Sequence, residues 1–137
     1  MEYKNPAPTT NIIVEHENKI LLLKRNTEPY LGKFALPGGF VDYDEQVEVA
    51  AVREVKEETG LDIEVIIPFN VNHFTRDDGQ TITMLVYLCK ALNETVTLSE
   101  EHPEYKWLTL ENAKKEINEY FYSDIALLEK FELLKHL

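Results

Sequence analysis

Only one cysteine, Cys89, occurs in the 137 residues, so no disulfide can form within the chain. It lies in an apolar run between Leu88 and Lys90, where a free cysteine is expected to be a buried, inert strand residue. Long apolar runs are missing too. Nothing approaches the roughly 18 consecutive apolar residues that read as a membrane span. The opening Met1-Glu2-Tyr3-Lys4-Asn5-Pro6 has neither the basic start nor the apolar stretch of a secretion signal. A cytoplasmic location with no membrane partner is expected. Positive charge is the third deficit: 14 Lys and Arg face 25 Asp and Glu, a net charge of −11. Such a surface is poorly suited to DNA or RNA polymers, whose affinity comes largely from cations on phosphates. Solubility alone accounts for most of the carboxylates. Repeats, low-complexity segments and linkers are absent, and 44% hydrophobic content suffices to bury one core, so 1–137 reads as a single domain.

What is present is an alternation of strand-like and helix-like segments. Residues 9–25 hold two β-rich runs around a polar break, a hairpin with Asn18 as turn residue. Pro29 and Gly32 mark a loop, and Phe34-Ala35-Leu36 is a short strand stopped by Pro37-Gly38-Gly39. Residues 44–58 lack Gly and Pro, and Val47, Ala51, Val52 and Val55 suit one apolar side of a helix that Gly60 would end. Asp62–Val71 and Thr81–Ala91 are rich in Ile, Val and Thr, with a charged turn at Thr75–Gln80 between them. Tyr105–Leu108 alternates like a half-buried strand, and Thr109 can cap a helix over Leu110–Ile117. After Ser123, a second apolar stripe of Ile125, Leu127, Leu128, Phe131, Leu134 and Leu137 predicts a C-terminal helix on a sheet.

Three glutamates in the first helix converge. At 100° per residue Glu57 lies about 60° to one side of Glu54 and Glu58 about 40° to the other. Like charges so placed weaken a bare helix by a few tenths of a kcal/mol per pair, a penalty that a divalent cation reverses. An oxygen-only donor set completed by substrate phosphates suits Mg²⁺, with Mn²⁺ as a substitute. Arg53 stands one turn before Glu57, close enough to pair with it. Glu45 sits about 180° around from Glu54, off that face, where it can complement the helix dipole and tie down the glycine loop. A solvated helix face is the competing reading of an isolated Glu-rich segment.

The wider frame decides between them. From Gly39 the chain runs five residues to Glu45, seven more to Arg53, then Arg53-Glu54-Val55-Lys56-Glu57-Glu58-Thr59-Gly60-Leu61. This segment resembles the Nudix box, G-x5-E-x7-R-E-U-x-E-E-x-G-U with U a bulky aliphatic, and fills every defined position. At background residue frequencies such a match arises by chance on the order of once in ten million chains of this length. The resemblance implies an α/β fold, an α/β/α sandwich with a mixed β-sheet between the box helix and the C-terminal helix. It implies an enzyme, a Mg²⁺-dependent hydrolase of the diphosphate linkage of a small nucleotide. It implies a metal site of Glu54, Glu57 and Glu58 joined by the backbone carbonyl of Gly39. Arg53 would orient the glutamates.

The base that takes the proton from water is Glu57 or a carboxylate of the loop after the central strands. Glu100, Glu101 and Glu104 are the loop candidates, with Glu101 preferred as base or additional ligand. His102 is a further acid–base candidate or an incidental loop residue. Arg25, at the end of the second strand, is the expected phosphate contact, ahead of Lys24 and Lys33. Phe34 is the expected base-stacking residue, with Tyr30 and Phe74 as alternatives, although aromatics in a small domain are more often core. His73 and Arg76 would line the mouth of the site.

Two substrate classes fit. A nucleoside triphosphate, oxidised or not, would release pyrophosphate; ADP-ribose or a nucleotide sugar would be cut into two monophosphates. ADP-ribose-cleaving members of the family often carry a proline about 15 residues after the box, and Arg76 and Asp77 stand there instead, which tilts the reading toward triphosphates. A non-catalytic nucleotide sensor is the alternative of another class, and such modules usually lose a box glutamate or the arginine. The expected assembly is a monomer or homodimer.

Overall fold

A computed structural model describes residues 5–28, 30–117 and 122–136, with the side chains of Tyr122 and Ser123 excepted. Pro29, Leu137, the Ser123 side chain and Met1 to Lys4, read above from sequence, lie outside the described set. The hairpin forms as β1 (Ala7–His16) and β2 (Lys19–Lys24), with Glu15 opposite Ile20 and His16 opposite Lys19. Glu17 and Asn18 join them at φ 48° and 64°, the left-handed pair that a two-residue hairpin turn needs.

β3 (Phe34–Ala35) pairs with β2, and the chain then departs from the expected plain stop. Gly38–Phe40 forms a further strand, β4, antiparallel to β1 with Gly39 opposite Thr10. Gly38 permits this approach, because a Cβ there would stand 2.3 Å from the Thr10 carbonyl oxygen. α1 (Val47–Thr59) begins three residues later than the pattern suggested, because Tyr43 and Asp44 form a turn and Gln46 is extended. It ends on Gly60 at φ 72°, whose N–H returns to the Lys56 carbonyl.

β5 (Ile63–Thr75) and β6 (Thr81–Ala91) form a long antiparallel pair. β5 runs four residues beyond its expected end because cross-strand pairing continues to Thr75 opposite Thr81. β6 also lies parallel to β1, from Ala7 opposite Ile82 to Glu15 opposite Lys90, which makes the sheet mixed. β7 (Tyr105–Thr109) pairs with β2, and the Thr109 hydroxyl accepts the Asn112 N–H at the start of α2 (Leu110–Ile117). α3 (Tyr122–Lys135) follows.

The strand order β3-β2-β1-β6-β5, with β4 added to β1 and β7 to β2, has a core on each face. Ile12, Val14, Leu21 and Leu23 meet Ala51 and Val55 of α1 on one side. Ile13, Ile20, Leu22, Met84 and Val86 meet Ala113, Ile117, Leu128 and Phe131 of α2 and α3 on the other. This is the expected α/β/α sandwich. The inward stripe of α1 differs from the expected one: Val52 points outward, and Ala50 and Glu58 are buried instead. One residue is 100° of helix, so with Ala51 and Val55 facing the sheet Val52 turns away. Cys89 is fully buried, as expected, and burial, aided by Glu48, pushes its thiol up to about 12.

Candidate functional site

The site is assembled where the β3–β4 bend, α1 and the segment leading into β7 come together. Arg53 is its organising cation. Its Nε and Nη2 donate to the two oxygens of Glu45 at 2.7 and 2.9 Å, a bidentate pair. Nη1 donates to Glu54 at 3.0 Å and to Glu57 at 3.2 Å, and Nη2 also reaches the Phe40 carbonyl. The expected contact with Glu57 is present, but the principal partner is Glu45. Glu45 in turn accepts the Asp42 N–H and so closes the turn before α1. The hydrogen bond from Arg53 holds the Glu45 carboxyl down near 2, and Glu45 raises the guanidinium further.

Gly39 lies against Glu54: a Cβ there would be 2.5 Å from Glu54 Oε1. Glu54 is largely buried, and its carboxyl is pushed up to about 7 by burial first and by the charge of Glu58 next, with Arg53 opposing. Glu57 is the open member of the set, its side chain 61% exposed. Glu58 is the closed one, at 4%. One oxygen of Glu58 accepts the Gly38 N–H at 3.2 Å, and the other lies 2.7 Å from His102 Nε2.

His102, from sequence an acid–base candidate or an incidental loop residue, is tied into the site. Its Nδ1 lies 2.9 Å from the Lys24 carbonyl oxygen, which can only accept, so the ring bridges β2 and α1. Burial lowers its pKa, but the bonds to Glu58 and Lys24 and the charges of Glu58 and Glu101 raise it by more. The surrounding segment is stitched to both elements: Thr97 N–H to Thr59 O, Ser99 N–H to Glu58 O, and Lys24 N–H to Glu104 O.

The donors fit a hard cation. All are oxygens, residue 39 lacks a side chain where its backbone meets Glu54, and the Glu54 carboxyl is crowded by the charges of Glu58 and Glu57. The trio of ligand atoms among the described residues that all lie within 4.8 Å of one another is elsewhere, at His16, Glu17 and Glu94 beside the β1–β2 turn. The box carboxylates have different partners: Arg53 Nη1 bonds Glu54 and Glu57, whereas His102 and the Gly38 N–H meet Glu58.

The remaining expected residues divide. Glu101 is exposed on the loop beside His102, while Glu104 is paired with Lys24. Arg25 follows β2, and its backbone closes the 26–33 loop through Lys33 and Gly32. Phe34, expected to stack on a base, is instead 7% exposed in the core under α2 and α3, with Lys106 Nζ 4.5 Å above its ring. The inward face of β3 is needed to fill that core. His73 and Arg76 lie together with Asn5, Pro6 and Gln80 around a cavity of about 490 Å³ at the β5–β6 turn, where Arg76 also stands over the Phe40 ring.

Sequence reasoning missed Asp124 altogether. It is 2% exposed and accepts hydrogen bonds from the Leu36 N–H and the Asn11 side chain, anchoring α3 beneath the bend that carries Gly38 and Gly39. Burial pushes its carboxyl up to about 6 against those two bonds. An aspartate opening an apolar helix reads in sequence as an ordinary N-terminal charge, so nothing there announced a buried role.

Comparisons with known proteins agree with this architecture. The NUDIX domain model matches residues 5–126. The chain is 39% identical over 114 residues to the ADP-ribose pyrophosphatase of Methanocaldococcus jannaschii, covering 82% of this chain and 68% of that one. It is 32% identical over 114 residues to the nucleoside triphosphatase NudI of Klebsiella pneumoniae, covering 74% and 81%. Its structure is similar to that of the MutT protein of Methanosarcina mazei, with a TM-score of 0.81, 28% identity and coverage of 98% and 99%. A family match over most of the chain, relatives with named pyrophosphatase activity and the same fold lead to one conclusion: the chain belongs to the Nudix family and is a hydrolase of phosphoric anhydride bonds.

Proposed function

We propose that this chain is a Mg²⁺-dependent pyrophosphohydrolase of small nucleotides, with Glu54, Glu57, Glu58 and the Gly39 carbonyl holding the metal and Mn²⁺ an adequate substitute. The observation that carries the reading is the Gly39 cradle against Glu54, set beside Glu57 and Glu58 on one helix face. Bound there, the cation would neutralise the phosphate oxygens and the departing phosphate. Water attacks one phosphorus, the bridging P–O bond breaks, and a carboxylate takes the proton. Glu57 is accessible enough for that task, and Glu101 is the alternative from the facing loop. Arg53 fixes the directions of Glu54 and Glu57, and Arg25 meets a substrate phosphate.

The substrate is first a nucleoside triphosphate, oxidised or not, yielding monophosphate and pyrophosphate. A second reading, cleavage of ADP-ribose, is favoured by the 39% identity to an enzyme of that name. No helix among the described residues is long and apolar enough to cross a membrane, and we assign the enzyme to the cytoplasm as a monomer or homodimer.

The test is to incubate the protein with Mg²⁺ and a panel of nucleoside triphosphates, oxidised dGTP, ADP-ribose and nucleotide sugars, with Glu57→Gln as control. Monophosphate plus pyrophosphate supports the first reading. AMP plus ribose phosphate from ADP-ribose supports the second. Absence of metal-dependent cleavage of any member would refute both.

A further inference from the structure

We propose that His102 is a positioning residue that orients the metal ligand Glu58 and ties it to the strand end carrying Arg25; this rests on the assignment of Glu58 to the metal site. Arg53 bonds Glu45, Glu54 and Glu57, whereas the bonds at Glu58 come from other groups. The charge of Glu58, at 4% exposure, is met by the imidazole at 2.7 Å and by the Gly38 N–H on its other oxygen. Gripped at both oxygens, the carboxylate has a fixed plane while each oxygen keeps a lone pair for a cation. Partners of this kind around a ligand raise metal affinity because they remove rotational freedom before the ion arrives.

The other ring nitrogen holds the Lys24 carbonyl, one residue before Arg25, whose backbone closes the 26–33 loop. A single ring thereby links the proposed metal face of α1 to the strand end whose Arg25 would meet a substrate phosphate.

Two near-isosteric substitutions separate the two bonds. The amide nitrogen of His102→Asn falls where Nδ1 stood and keeps the Lys24 contact, whereas that of His102→Gln falls where Nε2 stood and keeps the Glu58 contact. Mn²⁺ binding to the substrate-free protein, read from the electron paramagnetic resonance of free Mn²⁺, is expected to weaken about tenfold or more in His102→Asn and by less than about threefold in His102→Gln. In steady state His102→Gln should raise KM with kcat little changed. A merely structural histidine predicts equal losses in both variants, which would overturn the proposal, as would wild-type Mn²⁺ affinity in His102→Asn.

A measurement on the unaltered chain covers the case of a variant that does not fold. Mg²⁺ saturation should shift the ¹⁵N resonance of His102 Nε2 more than that of Nδ1, and no shift would overturn the inference. Glu57→Gln distinguishes the two levels of failure. If that variant loses Mn²⁺ and His102→Asn does not, only the positioning role falls; if wild type binds no Mn²⁺, the metal assignment falls and takes the positioning role with it.

Discussion

Gly39 has no room for a side chain, since a Cβ would stand 2.5 Å from Glu54 Oε1. Gly39→Ala is therefore expected to push the Glu54 carboxylate aside, weakening Mn²⁺ binding by about tenfold or more, the scale seen when the partners of metal ligands are disturbed. Titration of the folded variant checks this, and unchanged affinity would detach Gly39 from the site. Glu57, 61% exposed, makes the opposite case. Glu57→Gln relieves a repulsive face and should leave the melting temperature near wild type while turnover falls by roughly 10²–10⁴. Asp124 carries a pH signature. Its carboxyl sits at about 6 in the fold against a usual 3.8, so the folded state binds more protons between those values. The stabilisation is full below about 4 and is lost as pH rises through about 6, a swing of about 3 kcal/mol. Urea unfolding at pH 4.5 and 7.5 should show about 2 kcal/mol of this loss in wild type relative to Asp124→Asn, the remainder lying below pH 4.5.

At the scale of elements, the box helix was legible because its spacing is dictated from outside: Glu54, Glu57 and Glu58 must share a face, and Gly60 must turn left-handed at φ 72°. A Cβ at Gly60 would meet Thr97 only at ordinary contact distance, so Gly60→Ala tests backbone conformation alone. It should destabilise the protein by about 1 kcal/mol in urea unfolding with kcat preserved. Strand β4 escaped the sequence reading because three residues with two glycines carry no strand propensity. Their pairing is imposed by β1, which lies close enough only if residue 38 has no side chain. Phe34 escaped for the converse reason: an aromatic beside a loop looks available for stacking until the helices that cover it are in place.

For the molecule as a whole, the proposed metal site and the two cores belong to one sheet, so a ligand of that site should stabilise the entire fold. Mg²⁺ at about 100 times its dissociation constant should add about 2.7 kcal/mol to unfolding. The melting temperature should rise in wild type and stay put in Glu57→Gln; an equal rise in both would show the ion acting elsewhere, with the His16, Glu17 and Glu94 group as the first alternative.

The sequence by itself determined what depends on local pattern and spacing: the family, the order of strands and helices apart from β4, the three glutamates on one face and the burial of Cys89. Tertiary structure alone decided what depends on residues far apart in the chain. It set Glu45 on Arg53, His102 between Lys24 and Glu58, and Asp124 beneath Leu36 and Asn11. Periodicity fixes the direction in which a side chain leaves its own backbone, whereas the partner it meets depends on how the sheet brings other elements to that side.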